Sequence, residues 1–265
     1  MRVDLHNHTV RCNHATGTTE EYVKRAIELE IDIYGFTDHA PMDYEAEYRM
    51  NISEMYEYEN NILLLKEKYK NSIDIRLGYE VDFMKNKKYM ENTILKSKVD
   101  YLIGSVHFLQ ESNDLWGFDN PAFIKNYEIK DIDKIWEDYF EAITSMVRTN
   151  YFNIVGHLDL IKVFKFLPKK DIRLMAINTL KEIKKYNMAL EINSAGLRKP
   201  IKEQYPSKQL LEVAYELDIP ITFSSDAHSI DQIGFGYEES KNIALEVGFT
   251  SCVSFINKEM LVHKI

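Results

Sequence analysis

Seven times along this chain a short apolar run gives way to a longer stretch with helical spacing, and that alternation limits the fold more than any other feature. The apolar runs are MRVDLHNH, DIYGFTDHA, DIRLGYEVDF, DYLIGSVHF, FNIVGHLDL, ALEINSAG and PITFSSDAH. Helical patterns lie between them. TTEEYVKRAIELE opens with a Thr/Glu capping signature, and others cover 53–71, 131–149, 171–187, 207–218 and 237–247, with a weaker one near 88–97. Near-continuous apolar strands separated by helices predict a parallel sheet covered on its faces. Closed on itself, such a sheet is an α/β fold of the distorted (β/α)7 TIM-like barrel kind, here a single domain over 1–265. An open doubly wound sheet is the alternative. Either fold binds ligands at the carboxyl ends of its strands. A last run, TSCVSFI, reads as an extra strand or as tail packing.

Composition allows this core and narrows the partners. With 45% hydrophobic and 28% charged residues, the chain can bury a real interior. It has no apolar stretch long enough for a membrane span. The N-terminal residues run straight into a strand pattern, so export is not expected and a cytoplasmic location is. Cys12 and Cys252 then read as reduced thiols. The net charge of −9 disfavours general nucleic-acid binding. Composition sets no oligomeric state.

Of the eight histidines, six fall where strands end and a seventh in the loop just beyond one, so seven are predicted on one face of the barrel. His6 and His8 end the first strand and His14 lies in the loop beyond it. His39 ends the second, Glu80 the third, His107 the fourth and His157 the fifth. Asp226 and His228 end the seventh. Side chains two apart on a strand point the same way, so His6-Asn7-His8 aims two imidazoles at one point, and Asp226-Ala227-His228 aims a carboxylate and an imidazole. Neutral imidazoles with carboxylates are the ligand set of Zn, Fe or Mn rather than of Ca or Mg. A single histidine at a strand end is ordinarily just a hydrogen-bonded polar residue. Repetition at successive strand ends is what points to a site holding several metal ions. His263 is left outside this group and reads as a solvated surface residue. Cys12, between His8 and His14, reads as a small packing residue because the ligand set is complete without it.

These segments resemble the polymerase and histidinol phosphatase (PHP) family of metal-dependent phosphoesterases. DLHNHT, GFTDHA, GSVHF and SSDAH are similar to its four motifs, and the likeness covers nearly the whole chain. GHLDLIK, LEINSAGLRK and the YPS before the penultimate helix look more narrowly like its monofunctional histidinol-phosphate phosphatases. The resemblance implies three divalent transition-metal ions. His6, His8, Glu80 and Asp226 would hold the first. Glu80 would bridge to a second, completed by His107 and His157, while His14, His39 and His228 would hold the third. It further implies hydrolysis of L-histidinol phosphate to L-histidinol and phosphate, a step of histidine biosynthesis.

Charge balance agrees with that substrate. Three divalent ions would meet only two ligand carboxylates, and a bridging hydroxide would still leave the centre cationic, so a phosphate monoester dianion fits it. Bound metal lowers the pKa of water from about 15.7 to about 7, which supplies hydroxide at neutral pH for in-line attack on phosphorus. Asp226 is expected to orient that water, and either a water on the third metal or the His39 region to help the leaving oxygen. Arg198, after the sixth strand, is the best candidate to grip the phosphate, since arginine offers a fork of donors. Lys162 is the second candidate. Segments 41–53 and 109–127 read as long loops over the same face. Their acids Asp43, Glu45, Glu47, Glu111 and Asp114, interleaved with Tyr44, Tyr48, Trp116 and Phe118, would suit a cationic amine bearing an imidazole; plain loop packing is the competing reading. The rival functions are a PHP-type phosphoesterase acting on nucleotides or DNA ends, and a metal-binding subunit without turnover.

Overall fold

The structure, a computed structural model, describes residues 1–85, 90–111 and 114–265. The elements in chain order are β1 Val3–Asp4, α1 Thr19–Glu28, β2 Ile33–Phe36, α2 Met55–Tyr69, β3 Asp74–Asp82, α3 Asn92–Leu95, β4 Tyr101–Ser105, β5 Phe108–Glu111, β6 Asp114–Gly117, α4 Lys125–Ile129, α5 Ile132–Val147, β7 Ile154–Val155, α6 Ile172–Lys185, β8 Ala189–Asn193, α7 Lys208–Glu216, β9 Ile221–Ser224, α8 Tyr237–Val247, β10 Ser251–Ile256 and β11 Glu259–Lys264.

Seven strands pair in parallel in the order β1-β2-β3-β4-β7-β8-β9. The Leu5 amide donates to the Phe223 carbonyl at 3.0 Å, and Asn7 bridges in parallel to Ala227, so the ends of the sheet meet. The expected closed barrel forms, not the open sheet. Its strands are apolar throughout because both faces are covered. Tyr34 and Phe36, Leu102 and Ile103, and Leu190 and Ile192 are all buried. The helices form where the spacing put them. In α1 the Thr18 hydroxyl accepts from the Glu21 amide and the Glu21 carboxylate accepts from Thr18, a reciprocal cap at the start of a helix whose Tyr22, Val23 and Ala26 turn inward.

Tyr101 crosses the barrel interior, its hydroxyl donating to the Leu5 carbonyl at 2.6 Å. Gly35 makes room for it, since a Cβ there would stand 1.9 Å from the Tyr101 oxygen.

Three expectations change. Segment 109–127 is not a plain loop. It folds into the antiparallel β5–β6 hairpin followed by short helical turns. TSCVSFI becomes β10, paired with β11, and the Asn257 and Lys258 amides bond Asp100 at the start of β4, so this hairpin covers the amino end of the barrel. The helix expected near 88–97 is the short α3, with residues 88 and 89 outside the described residues.

Candidate metal centre at the carboxyl end of the barrel

Every strand-end histidine singled out above reaches the mouth of the barrel. The ring centroids of His8 and His228 are 4.1 Å apart, His8 and His39 4.3 Å, His14 and His228 4.7 Å, His107 and His157 4.9 Å, and His6 and His8 5.0 Å. Glu80, 1% exposed, lies among them. Its Oε2 is 2.9 Å from His39 Nδ1 and 3.3 Å from His6 Nε2, and its Oε1 is 3.1 Å from His157 Nε2 and 3.7 Å from His107 Nε2. Asp226 brings Oδ1 to 3.2 Å from His8 Nε2. Asp226 itself sits at φ 50°, a left-handed conformation that a non-glycine residue holds only where its surroundings enforce it.

The donor set fits metal ions by a direct test. His6 Nε2, both ring nitrogens of His8, and His39 Nδ1 are buried without a hydrogen-bond partner among the described residues. His6 Nε2, His8 Nε2 and His39 Nδ1 stand 3.3, 3.6 and 2.9 Å from Glu80 Oε2 without hydrogen-bonding it, so one nitrogen of each ring faces a shared space, while His8 Nδ1 faces Asp38. Buried polar atoms normally find partners, and a group of orphans aimed at one region is what a cation would satisfy. Ligand atoms lie within 4.8 Å of one another in the groups His6/His8/Glu80, Glu80/His107/His157 and His8/His39/His228. The third expected set is therefore drawn differently. His39 and His228 gather with His8, while His14 groups with His228 and the buried Cys12.

Sequence reading missed the acids behind these imidazoles. Glu191 on β8 is fully buried and takes four hydrogen bonds: from His6 Nδ1 (2.6 Å), Ser224 Oγ (2.6 Å), the His157 amide (2.7 Å) and Asn193 Nδ2 (3.2 Å). Asp82 holds His107 Nδ1 at 2.5 Å and is itself gripped by Arg49 Nη1 at 2.6 Å. Each carboxylate fixes a ring so that Nε2 faces inward, the arrangement that orients imidazole ligands. Two signals were available. Asp82 lies two residues past Glu80 on the same strand, hence on the same face. Glu191 is a lone acid in an apolar strand, which needs a partner to be buried at all.

The protonation states follow from burial set against these acids. Burial pushes His8 down, but Asp226 and Asp38 outweigh it and leave its pKa at about 9. His107 is lowered by burial and raised more by Asp82 and Glu80, to about 10. At His39 burial wins over Glu80 and the value falls to about 4. Burial also raises Glu80, yet His6, His39 and His107 carry it well below the usual carboxylate range.

A cavity of about 650 Å³ opens above the imidazoles. Arg198 lines it, one guanidinium nitrogen donating to the Ser225 and Asp226 carbonyls at 2.8 and 3.0 Å while Nη1 has no partner. Lys162 does not line it. This side chain is 1% exposed, with Nζ bound to Asp159 (2.9 Å), Glu203 (2.7 Å) and the Gln204 carbonyl (2.8 Å), so its charge is already matched away from the cavity. Of the loop acids, Glu45 lines the cavity, Asp43 and Glu47 are exposed outside it, and the side chains of Glu111 and Asp114 lie outside the described residues. Asp119, which the sequence did not single out, lines it too. Trp116 and Phe118 are buried in the core, Tyr44 packs on Phe108, and Tyr48 faces the cavity. His263 is not simply solvated: it is half-buried, with Nε2 2.7 Å from Ser254 Oγ.

This α/β barrel, with imidazoles gathered around buried carboxylates at its carboxyl end, belongs with its relatives to the metal-dependent phosphatases. The chain belongs to the PHP family: the PHP domain pattern matches residues 4–195, and a PHP-associated pattern matches 208–244. It is 36% identical over 260 residues to a Deinococcus radiodurans protein named "Probable histidinol-phosphatase", covering 97% of each chain. It is 28% identical over 258 residues to the Bacillus subtilis histidinol-phosphatase, covering 89% of this chain and 96% of that one. The fold matches the solved histidinol phosphate phosphatase of Lactococcus lactis with a TM-score of 0.81 at 23% identity, covering 98% of each.

Proposed function

We propose that this protein hydrolyses L-histidinol phosphate to L-histidinol and phosphate in histidine biosynthesis, as a single cytoplasmic PHP-type domain over 1–265. The observation that carries the reading is the set of unpartnered imidazole nitrogens converging on Glu80 and Asp226 beneath a cavity edged by a guanidinium with a free nitrogen. The names of the relatives support it, and the Lactococcus lactis structure is described as complexed with Zn, L-histidinol and phosphate. His6, His8, His14, His39, Glu80, His107, His157, Asp226 and His228 would hold divalent ions, three by the family's pattern, with zinc, iron and manganese the candidates. When bound, such ions supply hydroxide at neutral pH and neutralise phosphoryl charge.

The remaining work falls to the chain. Glu191 and Asp82 hold the Nδ1 protons of His6 and His107 so that the opposite nitrogens stay free to ligate. Asp226, its Oδ2 held by Asn193 Nδ2 at 3.1 Å, orients the attacking water. Arg198 takes a phosphoryl oxygen on Nη1. His39 is neutral at pH 7 with its pKa at about 4, which suits a ligand better than a proton donor. Lys162, already neutralised, serves to brace the β7–β8 connections. Among the described residues no helix is long and apolar enough to cross a membrane.

The test is steady-state kinetics on L-histidinol phosphate, mononucleotides and single-stranded DNA after reconstitution with each metal. A preference for histidinol phosphate is expected. A nucleotide or DNA preference selects the rival phosphoesterase, and metal binding without turnover selects the non-catalytic subunit.

A further inference from the structure

The amino end of the barrel, remote from the metal centre, carries an unfinished sheet. Among the described residues β11 pairs with β10 alone, and its other edge meets no strand. The ladder fixes which backbone groups lie on that edge. The Ile265 amide donates to the Thr250 carbonyl at 3.2 Å, one step beyond the Ser251–Lys264 pair. In an antiparallel ladder such residues alternate with ones whose amide and carbonyl turn the other way. Glu259, Leu261 and His263 therefore bond β10, while Met260, Val262 and Lys264 present their backbone groups outward. The Lys264 carbonyl does so visibly, accepting from the Met1 amine at 2.6 Å. The amides and carbonyls of Met260 and Val262 have no backbone partner among the described residues.

An open edge is ordinarily blunted by a proline, a bulge or a central charge, because free backbone groups template pairing with another chain. The β11 sequence EMLVHK has no proline, and its register against β10 is continuous. Its glutamate and lysine stand at the two ends. Its centre is apolar and open, with Leu261 36% and Val262 69% exposed. Beside it runs a groove of about 310 Å³, where Tyr215 and Phe249 lie next to Met260 and Val262.

We infer that β11 docks a second copy of this chain: two β11 strands pair antiparallel about a two-fold axis at Leu261 and join both hairpins into one four-stranded sheet. The register follows from the free groups. Setting Met260 opposite Val262 of the second copy, twice over, satisfies all four open groups on each strand and leaves the Lys264 carbonyl to Met1. Val262 opposite itself would instead bring Met260 against Lys264, whose carbonyl is taken. Met260 opposite itself would bring Val262 against Lys258, in the turn outside β11. The side chains agree with the first register. Leu261 meets its own copy, and Glu259 lies opposite His263. Glu259 has no ion pair within its own chain among the described residues. With the Ser254 hydroxyl donating to His263 Nε2 at 2.7 Å, the ring proton sits on Nδ1 as a donor for that carboxylate.

Sedimentation and cross-linking test this. The metal-loaded full chain at about 100 μM, where an interface with a Kd of about 1 μM is saturated, should sediment at twice the chain mass. Val262→Pro removes an amide that β10 does not use, and Leu261→Lys sets two ammonium groups face to face on the axis. Each should return the protein to the chain mass with its bound metal unchanged. Leu174→Lys, which alters a 76% exposed apolar residue on α6, should leave the dimer intact. Opposed residues of a non-hydrogen-bonded pair have Cα atoms about 4.5 Å apart, within disulfide reach. Leu261→Cys should therefore give a covalent dimer on mild oxidation, and Val262→Cys, which faces Met260, should not; the native Cys12 and Cys252 are buried. A wild-type protein at the chain mass under these conditions overturns the inference, as does a dimer that both Val262→Pro and Leu261→Lys leave intact or that Leu261→Cys fails to lock.

Discussion

At the scale of single residues, the acids behind the imidazoles decide whether the centre holds together. Glu191→Gln keeps the shape but removes the charge that holds His6 Nδ1, and metal affinity should fall by about 10- to 100-fold, measured by competition against a chromophoric chelator. An unchanged affinity would show that His6 needs no such support. Protons compete for the same nitrogens. With His8 at about 9 and His107 at about 10, both are charged at pH 7 in the metal-free protein and must discharge to ligate. Metal binding near pH 7.5 should therefore release protons, about one from each of these two groups, and apparent affinity should rise with pH up to those values. Calorimetry in buffers of different ionisation enthalpy reads the proton count directly, and zero release would contradict the assigned states. The histidines were legible in the sequence because two-residue spacing at a strand end fixes direction. The spacing of Asp82 and the apolar setting of Glu191 mark both as buried acids, but which ring each one holds is set by a partner that lies 185 residues away for Glu191 and His6. Asp119 follows a hairpin whose position over the mouth no local spacing encodes.

At the scale of elements, the barrel interior depends on one close approach. In Gly35→Ala the new Cβ would meet the Tyr101 hydroxyl at 1.9 Å and the Leu5 Cα at 3.0 Å. Overpacking of this kind costs about 1–3 kcal/mol. Adding Tyr101→Phe should recover part of the loss, so the double variant should be more stable than the sum of the singles predicts; denaturant unfolding of the four proteins measures the coupling. Strictly additive effects would mean that the two residues do not crowd each other. The seven barrel strands and the long helices were legible because each satisfies its own periodicity over enough residues. The β5–β6 hairpin was not. Its strands have four residues each, too few for alternation to separate from a polar loop, and its docking over the mouth is a tertiary matter.

At the scale of the whole molecule, the mouth of the barrel is a liability until it is filled. Burying an ionised group costs several kcal/mol even when it is paired, and this protein buries Glu80, Asp82, Glu191 and the imidazoles together. Metal binding offsets that cost and adds its own linkage term, about 4 kcal/mol for one ion at a thousandfold excess over its Kd. Chelation should lower Tm by on the order of 10 °C, read by calorimetry with and without a strong chelator. An unchanged Tm on verified metal removal would mean that the cluster is self-sufficient. Closure itself joins residue 5 to residue 223 and residue 7 to residue 227. A nascent chain emerging from the ribosome therefore carries its first two histidines long before Asp226 and His228 exist to face them. A copy that stops short of those two residues cannot complete the centre, whatever ions its earlier ligands hold.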